Sequence, residues 1–511
     1  MNEANSTTTT NTGDMNTLLN DLIKFGPKIS QNAAFRKMAI AMAEKWVVKD
    51  GKTRHEKEQQ TPGGVIEDQT AFNLAILHSV DRALADFKLS PATFKEASEI
   101  LGRDLLVEKK PRQAMSEKFR QQYGFNQPSF LTISPSKACN LRCTGCYADA
   151  DANAPHLEWD VVDKIITDAR NLWADQFMVI SGGEPLAYHS QGKDILDLVE
   201  KHPDVFFMMY TNGTLITPEV ADRMSKLGNI LPAISMEGWE ERTDARRGKG
   251  VYQQVMAAMD RLFEAGVLYG VSLTATRQNA EEILSDDFIN FLFNQKHALI
   301  GWIFQYMPIG RSYTLDLMPT PQQRIWMWNQ TWKHIREKRV VLADFWNHGT
   351  VVDGCLSAGG HGKGGYMYVE WNGNVTPCVF VPYSPVNIKD IYARGGNLND
   401  IYTEPFFTDI RKWQQGNQGK NLLTPCIIRD NNAVLRQFMS IHEVNPIDDN
   451  ASSAIQDGDY AAGLDKYDKE YKSLADQVWQ KAYLQNTPLT SAEISRLTSE
   501  AKPIQDGVKV N

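Results

Sequence analysis

The sequence predicts an α/β fold: a run of parallel strands with intervening helices, preceded by a helical region and followed by a small β-hairpin and helix extension. Three observations carry that prediction. Between residues 129 and 306 the chain repeats strand, loop and helix six times. The residues best suited to chemistry each follow the end of one of those strands. Residues 14–127, by contrast, show apolar positions at helical spacing. Six β/α units in succession argue for parallel strands joined by right-handed crossovers. Chemistry at strand C-termini is the habit of β/α barrels.

Taken in order, residues 1–13 are rich in Asn, Thr and Ser and read as a disordered lead-in without the apolar core of a secretory signal. In the helical region 14–127, Leu18, Leu19, Leu22 and Ile23 pattern as one piece, and Phe35, Met38, Ala39, Met42 and Trp46 share one face of another. Helices bearing Met and Trp are usually core, so a packing buttress is expected, with membrane-surface or partner docking as the alternative. A polar break over 49–64 contains Pro62-Gly63-Gly64. Beyond it Phe72, Leu74, Leu77, Val80 and Leu84 recur near helical spacing, and Ser90 before Pro91 marks a helix start.

The six strands are expected at 129–134, 176–181, 205–210, 230–235, 269–274 and 300–306, with helices near 160–173, 218–227, 251–265 and 281–294. This places a barrel-like region over 128–340. A helix after Pro319 carries Trp326, Trp328 and Trp332. In the region 341–440, the runs 366–371 and 375–380 flank Asn372-Gly373-Asn374, a strong hairpin signal. Residues 441–511 read as a charged helical tail, a solvated appendage.

Composition narrows the function. The chain has 511 residues, 42% hydrophobic and 23% charged, ordinary for a soluble globular protein. A net charge of −8 gives no support to a general binder of nucleic acid or anionic membranes. No uninterrupted apolar run reaches the roughly 18 residues of a membrane-spanning helix. Six cysteines, three of them clustered, fit metal binding in a reducing compartment better than disulfides. A cytoplasmic enzyme is expected, with a peripheral membrane location as the alternative.

The clustered cysteines are Cys139, Cys143 and Cys146, at the spacing C-x3-C-x2-C after the first strand. Three thiolates this close can converge on one metal centre. Iron–sulfur clusters are held by cysteines at short spacings of this kind, whereas a closed zinc site needs four ligands, and no second Cys-x-x-Cys lies nearby. A three-cysteine [4Fe–4S] cluster would keep one iron open. With Gly182-Gly183-Glu184-Pro185 after the second strand, this arrangement resembles the radical S-adenosylmethionine (radical SAM) superfamily. The later cysteines resemble its SPASM/twitch branch, which carries a C-terminal auxiliary-cluster extension. The resemblance covers roughly residues 128–430.

The resemblance implies a partial (β/α)6 barrel, open on one side. It implies that S-adenosylmethionine (SAM) binds the open iron of Cys139, Cys143 and Cys146, and that one electron cleaves it to a 5′-deoxyadenosyl radical that abstracts hydrogen from substrate. Gly182, Gly183 and Glu184 match the motif for the SAM amino group. Asn212, within Thr211-Asn212-Gly213-Thr214, is placed to line the same rim. Ser235 and a following arginine, with Arg247 a better match than Arg246, would hold the carboxylate or ribose. Pro308-Ile309-Gly310-Arg311 resembles a loop over adenine and substrate, while Glu237 and Arg311 read equally well as solvated rim charges. One departure stands out: the family's aromatic before the third cysteine is Gly145 here, and Tyr147 follows instead.

Cys355, Cys378 and Cys426 remain. Gly373-x4-Cys378 lies on the expected hairpin, as in the SPASM/twitch pattern, although the full C-x2-C-x5-C-x3-C run is absent. The three suit one auxiliary [4Fe–4S] cluster whose fourth iron is open or held by a non-cysteine ligand such as His361. Expected partners are a low-potential electron donor, such as flavodoxin or ferredoxin, and a substrate that is a small molecule, a peptide or a lipid. No nucleic acid is expected. A peptide-modifying maturase, a lipid-modifying radical enzyme, a non-catalytic iron–sulfur electron-transfer or scaffold protein, and a zinc protein are the alternatives.

Overall fold

The computed structural model describes residues 32–99, 109–360, 365–417 and 420–499. Leu18, Leu19, Leu22, Ile23 and His361 lie outside them. Helix α1 (Ala33–Lys57) and helix α2 (Gly63–Asp86) form an antiparallel hairpin, bridged where Arg36 donates to Asp81 at 2.7 Å and where His78 meets Glu44 at 2.6 Å. The expected break over 49–64 shrinks to residues 58–62: α1 runs on to Lys57, Pro62 precedes α2, and Gly63 and Gly64 are its first residues. Helix α3 (Pro91–Glu96) starts as anticipated: Ser90 Oγ accepts from Thr93 N and Pro91 occupies the first turn, where its missing N–H costs nothing.

The six expected strands all form. They are β1 (Phe130–Ile133), β2 (Phe177–Ile180), β3 (Phe206–Thr211), β4 (Ile230–Met236), β5 (Gly270–Ala275) and β6 (Ile300–Gln305), parallel and adjacent in that order. Helices such as α4 (Trp159–Trp173), α5 (Pro218–Leu227) and α6 (Val251–Glu264) cross between them and bury apolar faces against the sheet. The expected helix at 281–294 is broken into Ala280–Ile283, Asp286–Asn290 and a π turn at Phe291–Gln295. Ser285 caps the middle piece.

The parallel run does not stop at residue 340. Strand β7 (Val341–Asp344) pairs parallel with β6, and β8 (Tyr366–Val369) pairs parallel with β1 on the other edge. Strands β9 (Asn374–Thr376) and β10 (Val386–Asn387) add antiparallel outside β8, giving a ten-stranded sheet. The hairpin turn is the one read at Asn372-Gly373-Asn374. Among the described residues β7 and β8 do not pair, so the barrel stays open. Across the gap, Phe345 and Tyr366 meet edge-on, with ring centroids 6.4 Å apart.

Two expectations fail. On α1 the core takes Ala39, Ile40 and Ala43, while Phe35, Met38 and Met42 face outward. The tail is not an appendage. Helix α7 (Asp449–Gln456) and helix α8 (Gly458–Val478) lie on the barrel: Tyr460 Oη donates to Pro308 O at 3.0 Å and Arg429 donates to Tyr467 Oη at 2.6 Å. Beyond α8, Tyr483 Oη donates to the buried Asp68 of α2 at 2.8 Å. Trp328 and Trp332 are buried core residues.

Candidate metal and cofactor site

The loop after β1 carries Cys139, Cys143 and Cys146, and the loop after β2 lies directly against it. Gly183 N donates to Ser136 O at 2.9 Å and Glu184 N to Ala138 O at 2.8 Å. A Cβ on Gly183 would stand 2.1 Å from Ala138 O, so only glycine permits this approach. Thr144 N donates to Arg246 O at 3.0 Å, which fastens the loop's middle to the segment after β4.

Arg311, beyond β6, fastens its far side. The guanidinium donates to Asp149 Oδ1 at 3.0 Å, to Cys143 O at 2.9 Å and to Ala150 O, and Arg311 N donates to Cys146 O at 2.9 Å. Asn450 of α7 adds a bond to Asp149 Oδ2 at 3.1 Å. Arg311 is therefore a clamp on the cysteine loop and not a solvated rim charge. Trp371 packs beneath the loop with Ala148 and Ala150, against Cys139, Cys146 and Tyr147.

The three cysteines are unbridged, half-buried, and line one cavity of about 480 Å³ that fills the barrel lumen. Cys139 Sγ accepts from Leu141 N at 3.4 Å and from Asn212 Nδ2 at 3.8 Å. Burial pushes its thiol up to about 11, and Glu184, Cys143 and Cys146 nearby push the same way. Metal ligation would supply the deprotonation that this setting withholds. Among the described residues no three His, Cys, Asp or Glu side chains converge tightly enough for a single metal ion. A tetrahedral zinc site is thus not preformed, whereas a four-iron cluster distributes its cysteines over different irons. The donor set fits the cluster.

Glu184 is wholly buried. Its Oε1 accepts from Thr211 Oγ1 at 2.7 Å and Leu186 N at 3.1 Å, and its Oε2 from Asn212 N at 2.7 Å. Burial raises its carboxyl above the usual range, and those donors work against the rise. Each carboxylate oxygen has two acceptor sites, so Oε2 keeps one for a ligand. Glu237, read as a rim charge, is also buried. Its Oε1 receives Arg246 Nη1 at 2.7 Å and Arg247 Nε at 2.8 Å, while its Oε2 has no hydrogen-bond partner among the described residues. Burial opposes charge on Arg247, but Glu237, Cys143 and Cys146 outweigh it. Gly182, Gly183, Asn212, Ser235 and Arg247 all line the cavity with the three cysteines. Glu184 stands just behind Asn212.

Position 145 explains the aromatic departure. Gly145 has φ +62°, and a Cβ there would stand 2.6 Å from the ring of Tyr306. An aromatic from the end of β6 thus fills the space that a side chain at 145 would take. Tyr147 turns the other way, its hydroxyl 2.6 Å from Ser181 Oγ and accepting from Gly182 N at 3.2 Å.

Cys355, Cys378 and Cys426 line the same cavity. Burial pushes all three thiols up, Cys378 to about 12, and Cys355 and Cys378 add to the rise at Cys426. Tyr366 Oη lies 2.8 Å from Cys378 Sγ, and Cys355 Sγ donates to Ser357 Oγ at 3.2 Å. Between the two sets of cysteines the lumen is aromatic. Trp302, Phe304, Phe345, Trp346 and Phe380 form a continuous cluster, with Phe380 reaching Tyr147 at 6.0 Å. The sequence reading named none of these five as functional. The period-two alternation of Trp302 and Phe304 on β6 was the available signal.

A family model described as the radical SAM superfamily matches residues 133–285. Mycofactocin maturase MftC of Mycolicibacterium smegmatis is 28% identical over 299 residues, 57% of this chain and 74% of that protein. An AdoMet-dependent heme synthase of Methanosarcina barkeri is 24% identical over 294 residues, 52% of this chain and 80% of that one. The sporulation killing factor maturation protein SkfB of Bacillus subtilis is 29% identical over 267 residues, 49% and 60% respectively. Among solved structures, Streptococcus suis SuiB bound to precursor peptide SuiA aligns with a TM-score of 0.47 at 18% identity, covering 59% of this chain and 71% of that chain.

Proposed function

We propose that residues 133–285, which match the radical SAM superfamily, work as a radical SAM enzyme module with a [4Fe–4S] cluster and SAM as cofactors, and that Cys139, Cys143 and Cys146 hold the cluster at the lumen mouth. When bound, the cluster and SAM supply one-electron cleavage to a 5′-deoxyadenosyl radical that takes a hydrogen atom from substrate. The chain's own residues do the positioning. Glu184 Oε2 offers a fixed acceptor to the amino group. Arg247, kept charged by Glu237, offers donors to the carboxylate. Ser235 and Asn212 line the rim beside them. Arg311 holds the cysteine loop closed, and the aromatic lumen keeps water from the reacting groups. A low-potential donor such as flavodoxin or ferredoxin supplies the electron.

Cys355, Cys378 and Cys426 form, in this reading, an auxiliary [4Fe–4S] site of the SPASM/twitch kind facing the same lumen. The single observation that carries the proposal is that both sets of cysteines border one cavity with Gly182, Gly183, Asn212, Ser235 and Arg247, Glu184 lying directly behind Asn212. Iron analysis tests it. Replacing Cys139, Cys143 and Cys146 by alanine should leave about half of roughly eight irons, taking two four-iron clusters. A triple variant that retains no iron would reject the auxiliary site. The relatives named for maturation favour a second reading, modification of a peptide, and another relative acts in heme synthesis.

A further inference from the structure

Helix α1 buries Ala39, Ile40 and Ala43 and exposes Phe35, Met38 and Met42. Phe35 is 44%, Met38 52% and Met42 45% exposed, at spacings that put them on one face. Continuing along that face are the exposed Lys45, Lys49 and Lys52. The bridges Arg36–Asp81 and Glu44–His78 tie α1 to α2 along this stretch, and Ile76 and Val80 of α2 are also exposed. Single exposed apolar residues are ordinary, but five gathered across two helices are not. Within a chain of net charge −8, α1 carries seven Lys and Arg against three Asp and Glu.

The patch also leads somewhere. Phe72, Ile76 and Val80 recur every fourth residue along α2, so they make one stripe. Its outer end is the exposed patch. Its inner end, Phe72, lines the cavity and meets His348 edge-on at 6.4 Å. Beyond Phe72 the lining is largely apolar and aromatic, with Phe130 and Phe177 side by side on β1 and β2 and Trp302 and Phe304 two residues apart on β6.

We propose that the outer face of the α1–α2 hairpin docks on an anionic phospholipid surface, and that the substrate is a lipid hydrocarbon chain admitted past Phe72 into the lumen; this rests on the lumen being the substrate's place, as read above. Exposed bulky apolar residues can enter the headgroup boundary, and the neighbouring lysines are drawn to anionic headgroups. A protein partner would cover the patch but would have no use for a continuous apolar stripe into the lumen. No helix among the described residues is long and apolar enough to cross a membrane.

The test uses full-length, anaerobically reconstituted enzyme. Sedimentation with vesicles of phosphatidylcholine containing phosphatidylglycerol should show binding that weakens with added salt and is about tenfold poorer with phosphatidylcholine alone. Met38→Glu/Met42→Glu and Lys45→Glu/Lys49→Glu should each lose binding by a similar factor while keeping iron content and circular dichroism. Phosphatidylglycerol with a diazirine in its acyl chain, photolysed in the vesicles, should label peptides containing Phe72, Trp302 or Phe304. No binding that depends on phosphatidylglycerol overturns the docking face, and label confined to the outer surface of α1 and α2 overturns the substrate class. Iron content and SAM cleavage without vesicles read the catalytic assignment separately. Their failure alongside intact vesicle binding would sink the radical reading and leave the docking face standing.

Discussion

Replacing Arg311 with glutamine removes the clamp on the cysteine loop. Three guanidinium bonds go at once: one to the Asp149 carboxylate, and two to the carbonyls of Cys143 and Ala150. Hydrogen bonds to charged groups contribute about 1.5–3 kcal/mol each when buried. This side chain retains some exposure, 14%, and Asn450 still holds Asp149. A net loss of about 3 kcal/mol for the closed loop follows, on the order of a hundredfold in its opening equilibrium. Cluster loss to a chelator requires that opening, so the SAM-responsive [4Fe–4S] signal in electron paramagnetic resonance should decay about a hundredfold faster in Arg311→Gln. Arg311→Lys keeps the charge but not the fork, and should recover only a small part. Decay within about threefold of the parent protein would refute the clamp, since it would mean that the bonds contribute under 1 kcal/mol.

Other outcomes follow from the same structure. Cys143→Ala should abolish SAM cleavage with the fold retained, as circular dichroism and iron analysis of the second site would show. Glu184→Gln should weaken SAM binding more than iron content. It should also lower stability by about 1–3 kcal/mol in denaturant unfolding, because an amide NH2 would face a buried donor, either Asn212 N or Thr211 Oγ1. Arg324 and Asp430 form a wholly buried ion pair, and Asp430 Oδ2 accepts from Cys426 N at 3.1 Å. Arg324→Leu should therefore cost about 3–5 kcal/mol by stranding the carboxylate. It should also loosen iron at the second site first. His348 is held neutral: burial, with Arg336 nearby, lowers its pKa from 6.5 to about 3. The unfolded chain binds that proton first, so this stability is present above about pH 6.5 and is lost on acidification toward pH 3, by up to about 1.4 kcal/mol per unit. His348→Gln should flatten that part of the pH–stability curve.

What could be read from the sequence was what short-range pattern encodes. The six apolar runs became six parallel strands, because fully buried strands need continuous apolar character. The glycines and cysteines at their ends landed around one cavity. The outward face of α1 was misread because helical spacing shows that Phe35, Met38 and Met42 align, not which side the rest of the protein covers. The core chose Ala39, Ile40 and Ala43 for close approach to α2. Arg311 and the tail were obscured by distance along the chain. Asn450 meets Asp149 across 301 residues and Arg311 meets Cys143 across 168, and no local pattern marks such partners. The Tyr306 ring over Gly145 belongs to the same class: the departure was visible, its compensation was not.

The central claim is that the Cys139, Cys143 and Cys146 loop, with Glu184 and Arg247 beside it, drives reductive cleavage of SAM. Anaerobic incubation of the reconstituted protein with SAM and a low-potential reductant, with 5′-deoxyadenosine measured by chromatography, tests it most directly. The account predicts 5′-deoxyadenosine and methionine well above background in the parent protein and none in Cys143→Ala. Background levels from parent protein carrying a full complement of iron, or equal product from the variant, would contradict it.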